Sequence, residues 1–258
     1  MDKRIGAQLF TVRDFMKTPE DFDDACKKIS QTGYKTVQIS GTPLEAKVIR
    51  EILDKYGLKA MLSHLPFDAF EKKLDWVIEY NKTIGADLCG LGMMPMEYAE
   101  SVDGIGNFIE KANRICDALK KENMYFGYHN HSLEFAKIGG KTVFDILSEE
   151  TDPEAFNFIV DTYWVQVGGK NPAKCIKKLG KRAMAVHFKD YKIEVADWGH
   201  SKMAEVGSGN LDWDEIIAAC ETAGTRWAFV EQDGDWLEAS PFKSLEVSYE
   251  FLKTKGFI

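Results

Sequence analysis

The chain is short of features that would tie it to an oxidising compartment, a membrane or a polyanion. Its five cysteines, Cys26, Cys89, Cys116, Cys175 and Cys220, are odd in number and widely spaced, with no Cys-x-x-Cys pair. Such a set reads as buried thiols in a reducing compartment, not as disulfide staples or zinc ligands. No uninterrupted apolar run is long enough to cross a bilayer. The opening "MDKRIGAQLF" passes from its positive residues straight into a strand-like run, without the apolar stretch of a secretory signal. A cytoplasmic protein with no membrane partner is the expectation. Basic residues are also outnumbered, 33 Lys and Arg against 41 Asp and Glu for a formal net charge of -8, which disfavours nucleic acid as the partner. A small neutral or metal-bridged substrate remains.

What is present is enough for a core, with hydrophobic residues at 45%. Eight β-rich runs recur: 4–10, 34–40, 58–64, 86–92, 124–130, 156–161, 183–189 and 227–232. Each is nearly continuously apolar, as strands covered on both faces of a parallel sheet are. Helically spaced stretches such as "EDFDDACKKISQTG" and "VDGIGNFIEKANRICDALKKEN" separate them. Thr18-Pro19, Thr42-Pro43, Asn171-Pro172 and Ser240-Pro241 each place a capping residue before a proline, as at helix starts. "TPLE" (42–45) and "DWDE" (212–215) read as capping boxes. No linker or composition break divides the chain. Eight strand–helix units in 258 residues point to an α/β protein, one (β/α)8 TIM barrel domain over residues 1–258.

Chemistry in such barrels sits at the C-terminal strand ends. Gln8, Gln38 and His64 end the first three runs, and His129, Asn130, His131 and then Glu134 follow the fifth. Asp161 and Trp164 come at the sixth, His187, Lys189 and Asp190 at the seventh, Glu231 and Asp233 at the eighth. Four of the five histidines therefore gather at one face. Burying so many polar groups for structure alone would be costly. Glu134, Asp161, His187 and Glu231 make a hard, oxygen-rich set suited to Mn²⁺, Mg²⁺ or Co²⁺, with Zn²⁺ also possible. Trp164 could wall a sugar site. "EVGSGNLDW" (205–213) is a glycine-rich loop after the seventh strand, where barrels often hold phosphate, yet it brings no Lys or Arg with it. An unphosphorylated substrate is the expectation, with Arg13 and Lys189 the charges left to meet an acidic group.

The blocks "GYHNHSLEF", "DTYWVQVGGKNPAKCIKKLGKRAMAVHFKD" and "EVGSGNLDWDEIIAACETAGTRWAFVEQD", with "AQLFTVRD" near the start, resemble the sugar phosphate isomerase/epimerase family. This is part of the xylose isomerase-like TIM barrel superfamily, which also holds inosose dehydratases, ketose 3-epimerases and endonuclease IV. The resemblance implies one divalent metal ion held by Glu134, Asp161, His187 and Glu231. It departs at Gln38, where many relatives carry glutamate. It departs again at the fifth strand, whose histidine-rich end precedes its glutamate, an arrangement closer to the inosose dehydratase branch.

The chemistry the resemblance implies is proton removal beside a carbonyl with metal stabilisation of the enediolate. Candidate bases are Glu231, Glu134, His131 and Lys189. Gln8, His64, His129, His131, Trp164 and Lys189 are the substrate-facing candidates. The first expectation is a metal-dependent sugar isomerase or epimerase. The alternative is a lyase on a keto-inositol or 3-keto-sugar. An endonuclease IV-like nuclease and a sugar-binding barrel without catalysis stand further off. A homo-oligomer is possible.

Overall fold

The computed structural model describes the backbone of residues 1–258 and every side chain except that of Asp197. Eight parallel strands close into a barrel: β1 (Gly6–Gln8), β2 (Thr36–Ile39), β3 (Lys59–Leu65), β4 (Leu88–Leu91), β5 (Tyr125–His129), β6 (Phe156–Asp161), β7 (Ala183–Phe188) and β8 (Trp227–Val230). Each pairs with its sequence neighbour, and β1 closes the ring on β8, with Gly6 opposite Phe229. Helices lie between the strands, and β2, β4, β6, β7 and β8 are buried along their whole length. That double cover explains their continuous apolar runs.

Inside the barrel Leu62, Leu88, Ile159, Met184, Trp227 and Phe229 form their own apolar cluster. Small residues make space for the large ones. A Cβ on Gly6 would stand 2.3 Å from the Phe229 ring, and one on Gly90 2.6 Å from the His64 ring. Glycine at the second position therefore lets His64 reach the barrel mouth.

The first strand is shorter than its apolar run. The Gln8 side chain turns the chain by accepting from Phe10 N at 2.7 Å, and residues Leu9–Phe15 continue as a 3₁₀ segment. Three proline-marked starts are helix caps. Thr18 accepts from Asp21 N, Asn171 from Lys174 N and Ser240 from Lys243 N. Asp212 caps through Glu215 N at 2.9 Å. The fourth start, Thr42-Pro43, is not one. Its helix runs Ala46–Lys55, beginning beyond the expected box. The Thr42 hydroxyl donates to Met16 O at 2.9 Å and fastens a turn. Among the described residues no helix is long and apolar enough to cross a membrane.

Candidate active site and metal centre

Strands β5 to β8 bring His129, Asp161, His187 and Glu231 together. One ligand-type atom from each lies within 4.8 Å of the others, and all four residues are buried. Local structure dictates which atoms face the axis. Asp161 ends β6 and caps the helix Thr162–Val167, accepting from Trp164 N at 2.9 Å through Oδ1. The cap fixes the carboxylate and leaves Oδ2 turned inward without a hydrogen-bond partner. His187 Nε2 lies 2.7 Å from Gln38 Oε1. An amide oxygen can only accept, so Nε2 carries the proton and Nδ1 presents a lone pair. Glu231 accepts from Gln8 Nε2 at 2.7 Å through Oε1, which leaves Oε2 free.

His187 Nδ1 and Glu231 Oε2 stand 2.9 Å apart without hydrogen-bond geometry, and Asp161 Oδ2 is 4.0 Å from the same nitrogen. Three lone-pair atoms thus converge, with His129 beside them at a ring separation of 4.6 Å from His187. Buried polar atoms rarely go unpartnered. A divalent cation satisfies this set: two carboxylate oxygens and neutral imidazoles suit Mn²⁺, Co²⁺ or Zn²⁺. Were an ion bound there, Gln38 would hold His187 in the tautomer a metal ligand needs, the usual task of a residue behind one.

Charge in the group is divided. Burial would raise Glu231, but above all the Lys189 ammonium outweighs it and holds that carboxyl well below its ordinary range. Burial wins at Asp161 and pushes it up, against the pull of Lys189. The Lys189 ammonium is itself buried, 3.5 Å from Asp161 Oδ2 and from Glu231 Oε2, and bonded to Asp233. Burial acts to strip its proton, yet these carboxylates together keep it firmly protonated. Burial also holds His64 and His131 neutral, down to about 3 and about 4.

Above the group opens a cavity of about 560 Å³, lined by Gln8, His64, His129, His131, Lys189 and Glu231 among others. Eight expected residues therefore meet in one place, these six and, in the group beneath them, Asp161 and His187. Two do not. Trp164 does not line the cavity; it packs behind His131 and Lys189, at 5.5 Å and 5.3 Å. Glu134, the expected first ligand, lies outside the ligand group. Its oxygens accept from Tyr128 OH at 2.5 Å and from His131 N at 2.7 Å. The 3₁₀ turn Leu133–Phe135 swings it back beneath the loop, where it is fully buried. Its place beside Asp161 is taken by His129. Asp233, which holds Lys189, and Gln38 were visible as strand-end polar residues without an assigned task.

The glycine-rich loop is closed on itself. Asp190 accepts from Gly207 N, Gly209 N, Leu211 N and Trp213 Nε1 at 2.7–3.3 Å. A Cβ on Gly209 would lie 2.3 Å from Asp190 Oδ1, so glycine there permits the close approach. Backbone donors of the kind that bind phosphate are spent on an internal carboxylate. Arg13 is also committed, donating to Phe10 O and Asp233 O.

The sequence profile of the xylose isomerase-like TIM barrel family matches residues 26–255. The chain belongs to that family. It is 25% identical over 256 residues to the inosose dehydratase of Geobacillus thermodenitrificans, spanning 86% of this chain and 85% of that one. The inosose dehydratase of Lacticaseibacillus casei is 24% identical over 262 residues, with coverage of 86% and 85%. Among solved structures, a sugar phosphate isomerase/epimerase from Parabacteroides distasonis superposes with a TM-score of 0.80 at 20% identity, over 96% of both chains. The D-allulose 3-epimerase of Methylomonas sp., solved with D-allulose, gives 0.70 at 14% identity over 97% and 96%. These two likenesses establish the fold.

Proposed function

We propose that this protein is a divalent-metal-dependent lyase that enolises a keto sugar or keto-cyclitol and expels the group on the β carbon. The observation that carries the reading is the convergence of unpartnered Asp161 Oδ2, His187 Nδ1 and Glu231 Oε2 beneath a cavity with neutral histidines at its wall. His129, Asp161, His187 and Glu231 would hold the ion. When bound it supplies Lewis acidity at the substrate carbonyl, lowering the cost of negative charge there.

The chain's own groups divide the proton work. His131 lines the cavity and is neutral, so its imidazole can accept the carbon-bound proton. The electron pair left behind forms the carbon–carbon double bond. The departing oxygen leaves with its bonding pair and takes a proton. Lys189 is the donor suited to this, because its three carboxylate neighbours keep it charged. Gln8 and His64 remain to orient hydroxyls.

Isomerisation or epimerisation would share the first step. Returning the proton to the opposite face calls for a second base, and Glu134, one of the expected candidates, is withdrawn from the cavity. That favours elimination, as do relatives named inosose dehydratase over most of the chain.

The test is chelator-stripped and Mn²⁺-reloaded protein in D₂O with inososes, ketoses and 3-keto-glucosides. Metal-dependent deuterium at the α carbon of recovered substrate, alongside an unsaturated product, is the expected result. A saturated isomer would replace the lyase by an isomerase. Reloaded protein giving no exchange with any of them would refute enolisation.

A further inference from the structure

The cavity has two unlike walls. The ends of β5, β7 and β8, with Gln8, supply the polar one. The opposite wall follows directly from His64 along β3: Leu65, Pro66 and Phe67, joined by Met93 and Pro95 after β4 and by Phe10 after β1. It reaches further out than the chemistry requires. Met93 is 47% exposed at the mouth, and a second hollow of about 280 Å³ shares Pro66 and Asp68 with the first and ends on Trp76, itself 49% exposed. A hexose has the bulk of about seven waters, on the order of 200 Å³ at about 30 Å³ each. It would fill well under half of the main cavity of about 560 Å³.

Charge narrows what can fill the rest. Lys189 is the one Lys or Arg among the described lining residues, and its ammonium is already matched by Asp161, Glu231 and Asp233. The donors of the 205–213 loop are held by Asp190. The second hollow carries one exposed cation, Lys73. Within the main cavity neither a phosphate nor a carboxylate finds a free partner. An uncharged apolar group does.

We infer that the substrate is a glycoside: its sugar ring stands over the polar wall, and an uncharged aromatic aglycone lies along Leu65, Phe67 and Met93 toward Trp76. This deepens the proposed function, since the sugar's position rests on that reading. It also identifies the expelled group as the aglycone oxygen, which leaves with its bonding pair and is protonated as above. Because the apolar wall begins at the residue after His64, an aglycone on the sugar reaches it without a spacer. A free inosose would leave that wall wet.

The test uses stable probes that need no turnover. Calorimetric titration of Mn²⁺-loaded protein with methyl β-D-glucoside and 2-phenylethyl β-D-glucoside compares one sugar with and without an aromatic arm. The arm should tighten binding at least tenfold, about 1.4 kcal/mol. Met93→Ser and Trp76→Ala should each shrink that ratio at least threefold. Equal affinities for the two glucosides would overturn the inference, whether the wall is idle or covered by a second copy of the chain. So would phenylethanol alone binding as tightly as its glucoside, because the apolar wall would then act apart from the sugar. Deuterium exchange fails or succeeds separately, so loss of the aglycone subsite and loss of the enolisation reading are distinguishable.

Discussion

The two halves of the barrel are built alike and used differently. Units five to eight end in His129, Asp161, His187 and Glu231, one ligand-type residue each, and a cap and two amides hold the last three with a lone pair inward. Units one to four contribute supports and surface: Gln8 and Gln38 brace the ligands from behind, and the chain after His64 turns apolar. On the proposed function, the same strand–helix module carries chemistry in one half and shape in the other. What differs is the residue or two after each strand, where the backbone leaves the sheet and a side chain can choose the mouth.

The comparison breaks most sharply at the carboxylates. Asp161→Asn or Glu231→Gln should lower turnover about a thousandfold or more and abolish metal retention, because a site short of one anionic ligand loses both the ion and its Lewis acidity. Circular dichroism should stay that of the parent; full activity with metal retained would remove these residues from the centre. Next comes Asp190, whose loss orphans several buried donors. Asp190→Ala should cost at least about 3 kcal/mol of stability, lowering the melting temperature by about 6–12 °C, with no gain in turnover of phosphorylated sugars. Gln38→Leu should weaken metal binding by about 10- to 100-fold without touching the ion directly, which metal-buffered titration would read. The smallest change is in the supporting half: Thr18→Ala removes a cap and should cost about 1 kcal/mol, seen as a small shift in the urea midpoint.

The barrel was legible because doubly covered strands leave uninterrupted apolar runs, and because Thr18, Asn171, Asp212 and Ser240 announce their helices. Thr42 shows the limit of that signal. The same Thr-Pro pair serves a turn when a carbonyl such as Met16 O competes for the hydroxyl. Asp161, His187 and Glu231 were legible as strand-end polar residues. The exchange of Glu134 for His129 was not. It depends on a 3₁₀ turn after β5 and on Tyr128, a residue that reads as core yet offers its hydroxyl to the glutamate. The apolar wall is not legible in the same way, because "LPF" (65–67) and "GMMP" (92–95) read as continuations of the core runs before them. Apolar residues continuing beyond a strand end, where a solvated loop is the norm, were the available signal.

The central claim is that a divalent ion sits on His129, Asp161, His187 and Glu231, with Glu134 a support for the loop. Titrating Mn²⁺ into chelator-stripped wild-type, His129→Ala and Glu134→Gln proteins tests it directly. The account predicts one ion per chain for wild-type, binding within about threefold of it for Glu134→Gln, and a loss of about a hundredfold for His129→Ala. Loss of the ion in Glu134→Gln with retention in His129→Ala would contradict it.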